Sequence, residues 1–276
     1  MSDTAKLEDA KNTVATSPPA ETPVPAVQVG KYSHVGQLRE INEDSFFSFE
    51  AVTGSHRGEE AFGLFIVADG MGGHESGEVA SALAVRTAAG SLLKEVYFPI
   101  LKNEQNAVPI NEALFNAVTR ANEAVIKNVP DGGTTIVIAL LMGSNAYLAH
   151  VGDSRAYVLK AGVLKPVTQD HSLSQKLQDM GQSEEEALQA QNVLYRAIGQ
   201  GDTIEVDTKI QHLPPGSSLL LCSDGLWGMV NNSTIEAIIS STPNPQLACY
   251  KLIDQANENG GRDNITAILV TLGHSN

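Results

Sequence analysis

Acidic side chains stand at five places where an apolar run begins or ends. Asp69 closes the run Leu64–Ala68 and is followed by Gly70, Met71, Gly72, Gly73 and His74. Glu43 and Asp44, at the end of Arg39-Glu40-Ile41-Asn42-Glu43-Asp44, precede a second run. Asp153, within Gly152-Asp153-Ser154-Arg155, lies between two more. Asp224, within Ser223-Asp224-Gly225, ends Leu219–Cys222, and Asp263, within Gly261-Arg262-Asp263-Asn264, opens the last. One Asp at a strand end is ordinarily a turn former or a helix cap. Five such places, three of them flanked by glycine, point to a shared task. Glycine lets a backbone carbonyl approach a ligand with no Cβ in the way. Carboxylates gathered at one end of a sheet cannot all stay ionised without a counter-charge, and a divalent cation supplies one. The available donors are oxygens: no His pair has HExxH spacing and no CxxC occurs, which argues against zinc. Carboxylate, carbonyl and water ligands suit Mg²⁺ or Mn²⁺.

The elements that must position these groups follow from periodicity. Strands are predicted at Tyr32–Gly36, Ser45–Val52, Phe62–Ala68, Thr134–Met142, Ala146–Val151, Ala156–Lys160, Ser218–Cys222 and Asn264–Leu272. Short glycine-bearing turns join several of them, which favours antiparallel pairing. Helices are predicted at Glu78–Tyr97, Ile110–Asn128, Ser233–Ser240 and Pro245–Asn259, the last stopping at Gly260-Gly261. In the second of these, Leu114, Val118, Ala121 and Val125 share one face. Near-continuous apolar strands with long amphipathic helices suit sheets covered on both faces. Strands and helices do not alternate regularly, so sheet packed on sheet with helices outside is favoured over a doubly wound parallel fold.

Residues Met1 to about Val29 are rich in Pro, Ala, Thr, Ser and Glu and read as a disordered tail, with a single globular domain over residues 30–274. The chain has 276 residues and a formal net charge of −14. That charge repels phosphate backbones and anionic membranes, so neither nucleic acid nor membrane is an expected partner. No apolar run approaches the roughly 20 residues of a bilayer span, and the N-terminus has no apolar core of a secretory signal. Cys222 and Cys249 sit in apolar surroundings, as small core residues of a protein in the reducing cytoplasm.

Seven short motifs then occur in order: Arg39–Asp44 (RxxNED), Val67–Gly73 (VADGMGG), Gly132–Thr135 (GGTT), Val151–Arg155 (VGDSR), Thr168–Ser172 (TQDHS), Ser223–Leu226 (SDGL) and Gly261–Asn264 (GRDN). With them the chain resembles the metal-dependent protein serine/threonine phosphatases of type 2C, in their bacterial form, from about Lys31 to Leu272. The resemblance implies an α+β fold, a central β-sandwich of two antiparallel sheets flanked by helices on both faces. It implies a binuclear Mn²⁺/Mg²⁺ centre whose bridging hydroxide hydrolyses phosphoserine and phosphothreonine in proteins. Carried onto this chain, Asp69 bridges the two metals and Gly70 offers its carbonyl to one of them. Asp224 and Asp263 hold the other metal, Glu43 and Asp44 act through water, and Asp153 serves a third, weaker ion. Arg39 becomes the phosphate clamp, and the glycines after Asp69 leave room for the cations.

The serine leaving group needs a proton. Met71 stands where eukaryotic relatives carry a His and has none to give; His74 is a candidate proton donor or substrate contact. The polar segment Ser172–Gln191 corresponds to the flap beside the active site. Expected partners are phosphorylated proteins, including a Ser/Thr kinase and its substrates, with a monomer as the default state. A catalytically weak or inactive pseudophosphatase acting as a docking module is the alternative; Asp69, Asp224 and Asp263 weigh against it. A calcium buffer lacks its D-x-D-x-D-G loop.

Overall fold

The central strand β3 (Gly58–Met71) shows why the layers form. Its residues alternate between faces, as in any strand. Leu64, Ile66 and Ala68 face one hydrophobic cluster, whereas Phe65 and Val67 face another. All five are fully buried, so this strand has protein on both sides. The same split recurs in β10 (Ser218–Cys222), where Leu219 and Leu221 meet the inter-sheet core and Leu220 and Cys222 meet outer helices. Two sheets therefore share one core, and each packs its other face on helices. This is the four-layer α+β arrangement expected from the sequence.

The computed structural model describes residues 27–55, 58–72, 76–182, 190 and 193–273. Every strand pair is antiparallel. One sheet runs β1 (Val27–His34), β11 (Ile265–Leu272), β10, β7 (Arg155–Lys160), β8 (Val163–Pro166). The other runs β2 (Asp44–Ser55), β3, β5 (Ile136–Met142), β6 (Asn145–Val151), β9 (Asp207–His212), with β4 (Gly133–Thr134) pairing the tip of β3. Helices α1 (Ser76–Leu92) and α3 (Ile110–Asn128) cover the second sheet. Helices α6 (Asn232–Ser241) and α7 (Pro245–Glu258) cover the first. The stripe Leu114, Val118, Ala121 and Val125 is wholly buried, as its spacing requires.

Two expectations need correction, and two strands were not expected. The helix read as Glu78–Tyr97 changes at Leu93–Tyr97 into a π-turn, followed by the short α2 (Phe98–Leu101). Strand β1 begins at Val27, inside the stretch assigned to the tail, because Val27–Val29 pair with Val270–Leu272. Strand β8 was not anticipated; it returns from β7 through Ala161-Gly162, both at positive φ (51° and 77°). That is hairpin-turn geometry, but Ala-Gly lacks the usual Asn or Asp signature. Strand β9 is exposed and polar, and its existence comes from pairing with β6. The tail proper, residues 1–26, lies outside the described residues.

Candidate metal centre

Sheet register brings the first two carboxylates together. Asp44, the first residue of β2, pairs with Asp69 near the end of β3. The end of β3 is pinned from beyond it: Thr135 Oγ1 accepts the Asp69 N–H at 2.9 Å, and Thr134 Oγ1 donates to the Asp69 carbonyl at 2.8 Å. A short helix α5 (Asp224–Trp227) follows β10 and delivers Asp224, and the residues before β11 deliver Asp263. These two approach because Gly225 has no side chain: a Cβ there would lie 2.1 Å from the Asn264 carbonyl oxygen. Gly70 works similarly. A Cβ on it would fall 2.2 Å from Gly77 O and 2.7 Å from Glu43 O. Its bareness thus admits the first turn of α1 and the Glu43 backbone, a packing role beyond the expected room for cations.

The result is one cavity of about 410 Å³. Glu43, Asp69, Asp153, Asp224 and Asp263 line it, with Arg39, Gly70, Met71 and Thr135. Asp44 sits just behind, almost wholly buried. His74 lies outside the described residues. Arg39 Nη2 donates to Asp263 Oδ2 at 2.7 Å, so the guanidinium stands at the mouth, half exposed, on a carboxylate.

Five lining carboxylates against one guanidinium leave a surplus of negative charge in the cavity. Protons respond accordingly. Burial, with Asp44, Asp224 and Asp153 nearby, pushes Asp69 well above the usual carboxylate range. Burial raises Asp44 to about 7, although the Ser223 hydroxyl, donating to Oδ2 at 2.7 Å, opposes this. Burial and Asp263 raise Asp224 to about 6; burial, Asp224 and Asp170 raise Asp153 to about 8. Glu43 is raised chiefly by burial. Asp44 Oδ1 and Asp224 Oδ1 are buried and have no hydrogen-bond partner among the described residues. A buried, unpartnered carboxylate oxygen costs free energy unless something electropositive meets it. The donor set is entirely oxygen, so these residues fit hard divalent cations of the Mn²⁺ or Mg²⁺ kind.

Several supporting residues, some within the motifs and some beside them, had no assigned role. Asn264 donates to the carbonyls of Val35 and Ile41 and accepts the Glu43 N–H, tying the first motif to the last. Ser223 Oγ donates to Asp44 and accepts from Thr266 N. Trp227 donates its indole N–H to the Asp153 carbonyl at 3.0 Å, while Arg155 stacks over its ring at 3.6 Å. Arg155 also grips Asp170 with two hydrogen bonds, which makes it structural. Val193, Leu194 and Gln200 line the cavity from a segment distant in sequence, with no signal in their residue types.

Behind Asp153 lies a second group of donors, His150, His171 and Asp207, whose ligand atoms fall within 4.8 Å of one another. Its hydrogen bonds describe a clamp. His171 Nδ1 accepts the Gly152 N–H at 3.1 Å, and His171 N donates to Gly152 O. His150 Nε2 also bonds that carbonyl at 3.0 Å. A neutral His171 with Nδ1 so occupied carries its proton on Nε2, facing Asp207 at 3.4 Å and Arg196 at 3.3 Å. The backbone of Gly152, at φ +105°, is thereby fixed directly before Asp153. Burial and the neighbouring His171 lower His150 to about 4, so it stays neutral.

A family model described as protein phosphatase 2C matches residues 37–253. The chain belongs to that family. It is 36% identical over 244 residues to the serine/threonine phosphatase stp of Listeria monocytogenes, covering 85% of this chain and 92% of that protein. It is 32% identical over 254 residues to the protein phosphatase PhpP of Streptococcus pneumoniae, covering 89% and 98%. Among solved structures it is similar to the Mycobacterium tuberculosis serine/threonine phosphatase PstP/Ppp, with TM-score 0.74 and 30% identity over 90% of this chain and 99% of that one. A structure of the PstP catalytic domain in complex with two manganese ions matches with the same TM-score.

Proposed function

We propose that this protein phosphatase 2C member is a metal-dependent serine/threonine protein phosphatase, with the chain from Val27, where β1 begins, to about residue 274 as its catalytic domain. The observation that carries the reading is the convergence of Glu43, Asp69, Asp153, Asp224 and Asp263 on one cavity, with buried unpartnered oxygens on Asp44 and Asp224. Asp69 and the Gly70 carbonyl, with Asp224 and Asp263, would hold two Mn²⁺ or Mg²⁺ ions; Glu43 and Asp44 would support them and Asp153 a third. When bound, such ions supply Lewis acidity and lower the pKa of water toward 7. Arg39 has five N–H donors in a planar fork suited to phosphate oxygens. It stands at the mouth with its side chain half exposed and one hydrogen bond, to Asp263, to exchange for a substrate. Buried Cys222, its thiol raised by desolvation, is unsuited to attack phosphorus. Met71 offers no proton, so His74 is the proposed donor or substrate contact.

Its substrates are phosphorylated proteins, which we take to include a Ser/Thr kinase and that kinase's targets. Buried free Cys222 and Cys249 suit a reducing cytoplasm, and a monomer is the proposed state. No helix among the described residues is long and apolar enough to cross a membrane. The test is hydrolysis of an aryl phosphate and of a phosphothreonine peptide with Mn²⁺. Turnover is expected to vanish with chelator and to fall at least about 100-fold in Asp69→Asn. Undiminished turnover by that variant, or hydrolysis indifferent to chelation, contradicts the reading.

A further inference from the structure

A second cavity, of about 470 Å³, adjoins the carboxylate cavity, and Gln200 lines both. One stretch of chain passes along the two in succession: Val193 and Leu194 line the first, Tyr195 and Arg196 the second. This stretch is held in place. Leu173 N donates to Val193 O at 2.7 Å and Tyr195 N to His171 O at 2.9 Å, closing an antiparallel bridge between Ser172 and Leu194. The same bridge fixes helix α4 (Leu173–Asp179), whose first turn is capped by the Ser172 side chain. Helix α4 carries Lys176 to the lining of the same groove.

The groove therefore presents an aromatic ring with two cations close to it. Lys176 Nζ lies 5.6 Å from the Tyr195 ring centroid and Arg196 Cζ lies 5.5 Å from it. Tyr195 is 47% exposed and Val193 51%, so apolar surface faces water along the path between the cavities. Arg196 is held by Glu205 and Asp207, which fixes its guanidinium at the groove. Glu205 also lines the groove, but its side chain is 77% exposed and free to yield to another anion.

We propose that this groove is a substrate subsite, resting on the phosphatase reading above, that takes an anionic side chain a few residues from the phosphoresidue. The occupant is a segment of the phosphoprotein substrate itself. Continuity with the carboxylate cavity puts that segment there, and Lys176 and Arg196 select its charge. A carboxylate and a second phosphate share the required chemistry. Tyr195 gives the segment's side-chain stem an apolar platform.

The full chain with Mn²⁺ is assayed on phosphothreonine peptides that differ at one position, walked from four residues before the phosphothreonine to four after. That position carries Ala, Glu or a second phosphothreonine, and an aryl phosphate too small to reach the groove is the reference. One or two positions are expected to raise kcat/KM with Glu by roughly 3–10-fold over Ala, mostly through KM, the scale of one or two exposed ion pairs. A larger gain with phosphothreonine than with Glu marks phosphate as the preferred anion; equal gains mark a carboxylate site. The preference is expected to shrink with added salt and to reverse in Lys176→Glu, while the aryl phosphate rate of that variant holds. A flat positional profile, or a preference that survives Lys176→Glu, overturns the subsite while leaving the phosphatase reading intact. An aryl phosphate rate of zero in the parent protein overturns the phosphatase reading instead.

Discussion

Asp44 and Ser223 show how much one hydroxyl does at this centre. The Ser223 hydroxyl is the partner of Asp44 Oδ2 and opposes the upward push that burial gives that carboxyl. Ser223→Ala leaves a buried acceptor unmet, and about 1–3 kcal/mol of stability is expected to be lost in chemical denaturation. The Asp44 carboxyl should then hold its proton more tightly, so Mn²⁺ affinity at neutral pH should fall more than at pH 9. Sequence alone marked Asp44, Asp69, Asp153, Asp224 and Asp263 through their shared position at strand ends. It assigned nothing to Ser223, Asn264 or Trp227, because a serine, an asparagine or an indole shows its task only through the partner it meets. Asn264 meets Val35, Ile41 and Glu43 across more than 220 positions of chain.

Elements act here by how closely they approach. Helix α5 touches the start of β11 through Gly225, and that contact sets the separation of Asp224 from Asp263. Gly225→Ala puts a methyl 2.1 Å from the Asn264 carbonyl oxygen, so the two elements must part. Overpacking of this kind costs about 1–3 kcal/mol. The expected signature is a metal affinity lost out of proportion to stability: calorimetry should show weakened Mn²⁺ binding in a variant that remains folded by circular dichroism. A Gly225→Ala protein with parental Mn²⁺ affinity would show that α5 is not what places Asp224. The strands that carry these groups were legible because their apolar runs are buried on both faces. Strand β9 was not, because its exposed polar residues carry no pattern and only the free edge of β6 makes them a strand.

At the scale of the whole molecule, the centre trades stability for charge. The raised carboxyls of Asp44, Asp153 and Asp224 sit at about 7, 8 and 6, against the ordinary value of 3.8 in an unfolded chain. A group whose folded pKa is raised favours the fold below the unfolded value, and that contribution is lost as pH rises through the folded value. Chelated protein is therefore expected to lose thermal stability between about pH 4 and pH 8, through these groups. Mn²⁺ should reverse the trend, because it binds the ionised carboxylates and its binding releases their protons. At 100 times its dissociation constant a ligand adds about 2.7 kcal/mol, and Tm at pH 8 should rise by roughly 5 °C or more. Equal Tm values with and without Mn²⁺ at pH 8 would show that the carboxylates need no ion. The layered sandwich holds the strain of this cluster because both sheets meet at its base: β2 and β3 bring Asp44 and Asp69 from one, and the ends of β10 and β11 bring Asp224 and Asp263 from the other.

The most direct measurement is anomalous scattering at the manganese absorption edge from crystals of the protein grown with Mn²⁺. Two strong peaks are expected in the carboxylate cavity, one or both in contact with Asp69, with Asp224 and Asp263 on one of them. An empty cavity at saturating Mn²⁺, or manganese found solely between His150, His171 and Asp207, would contradict the account.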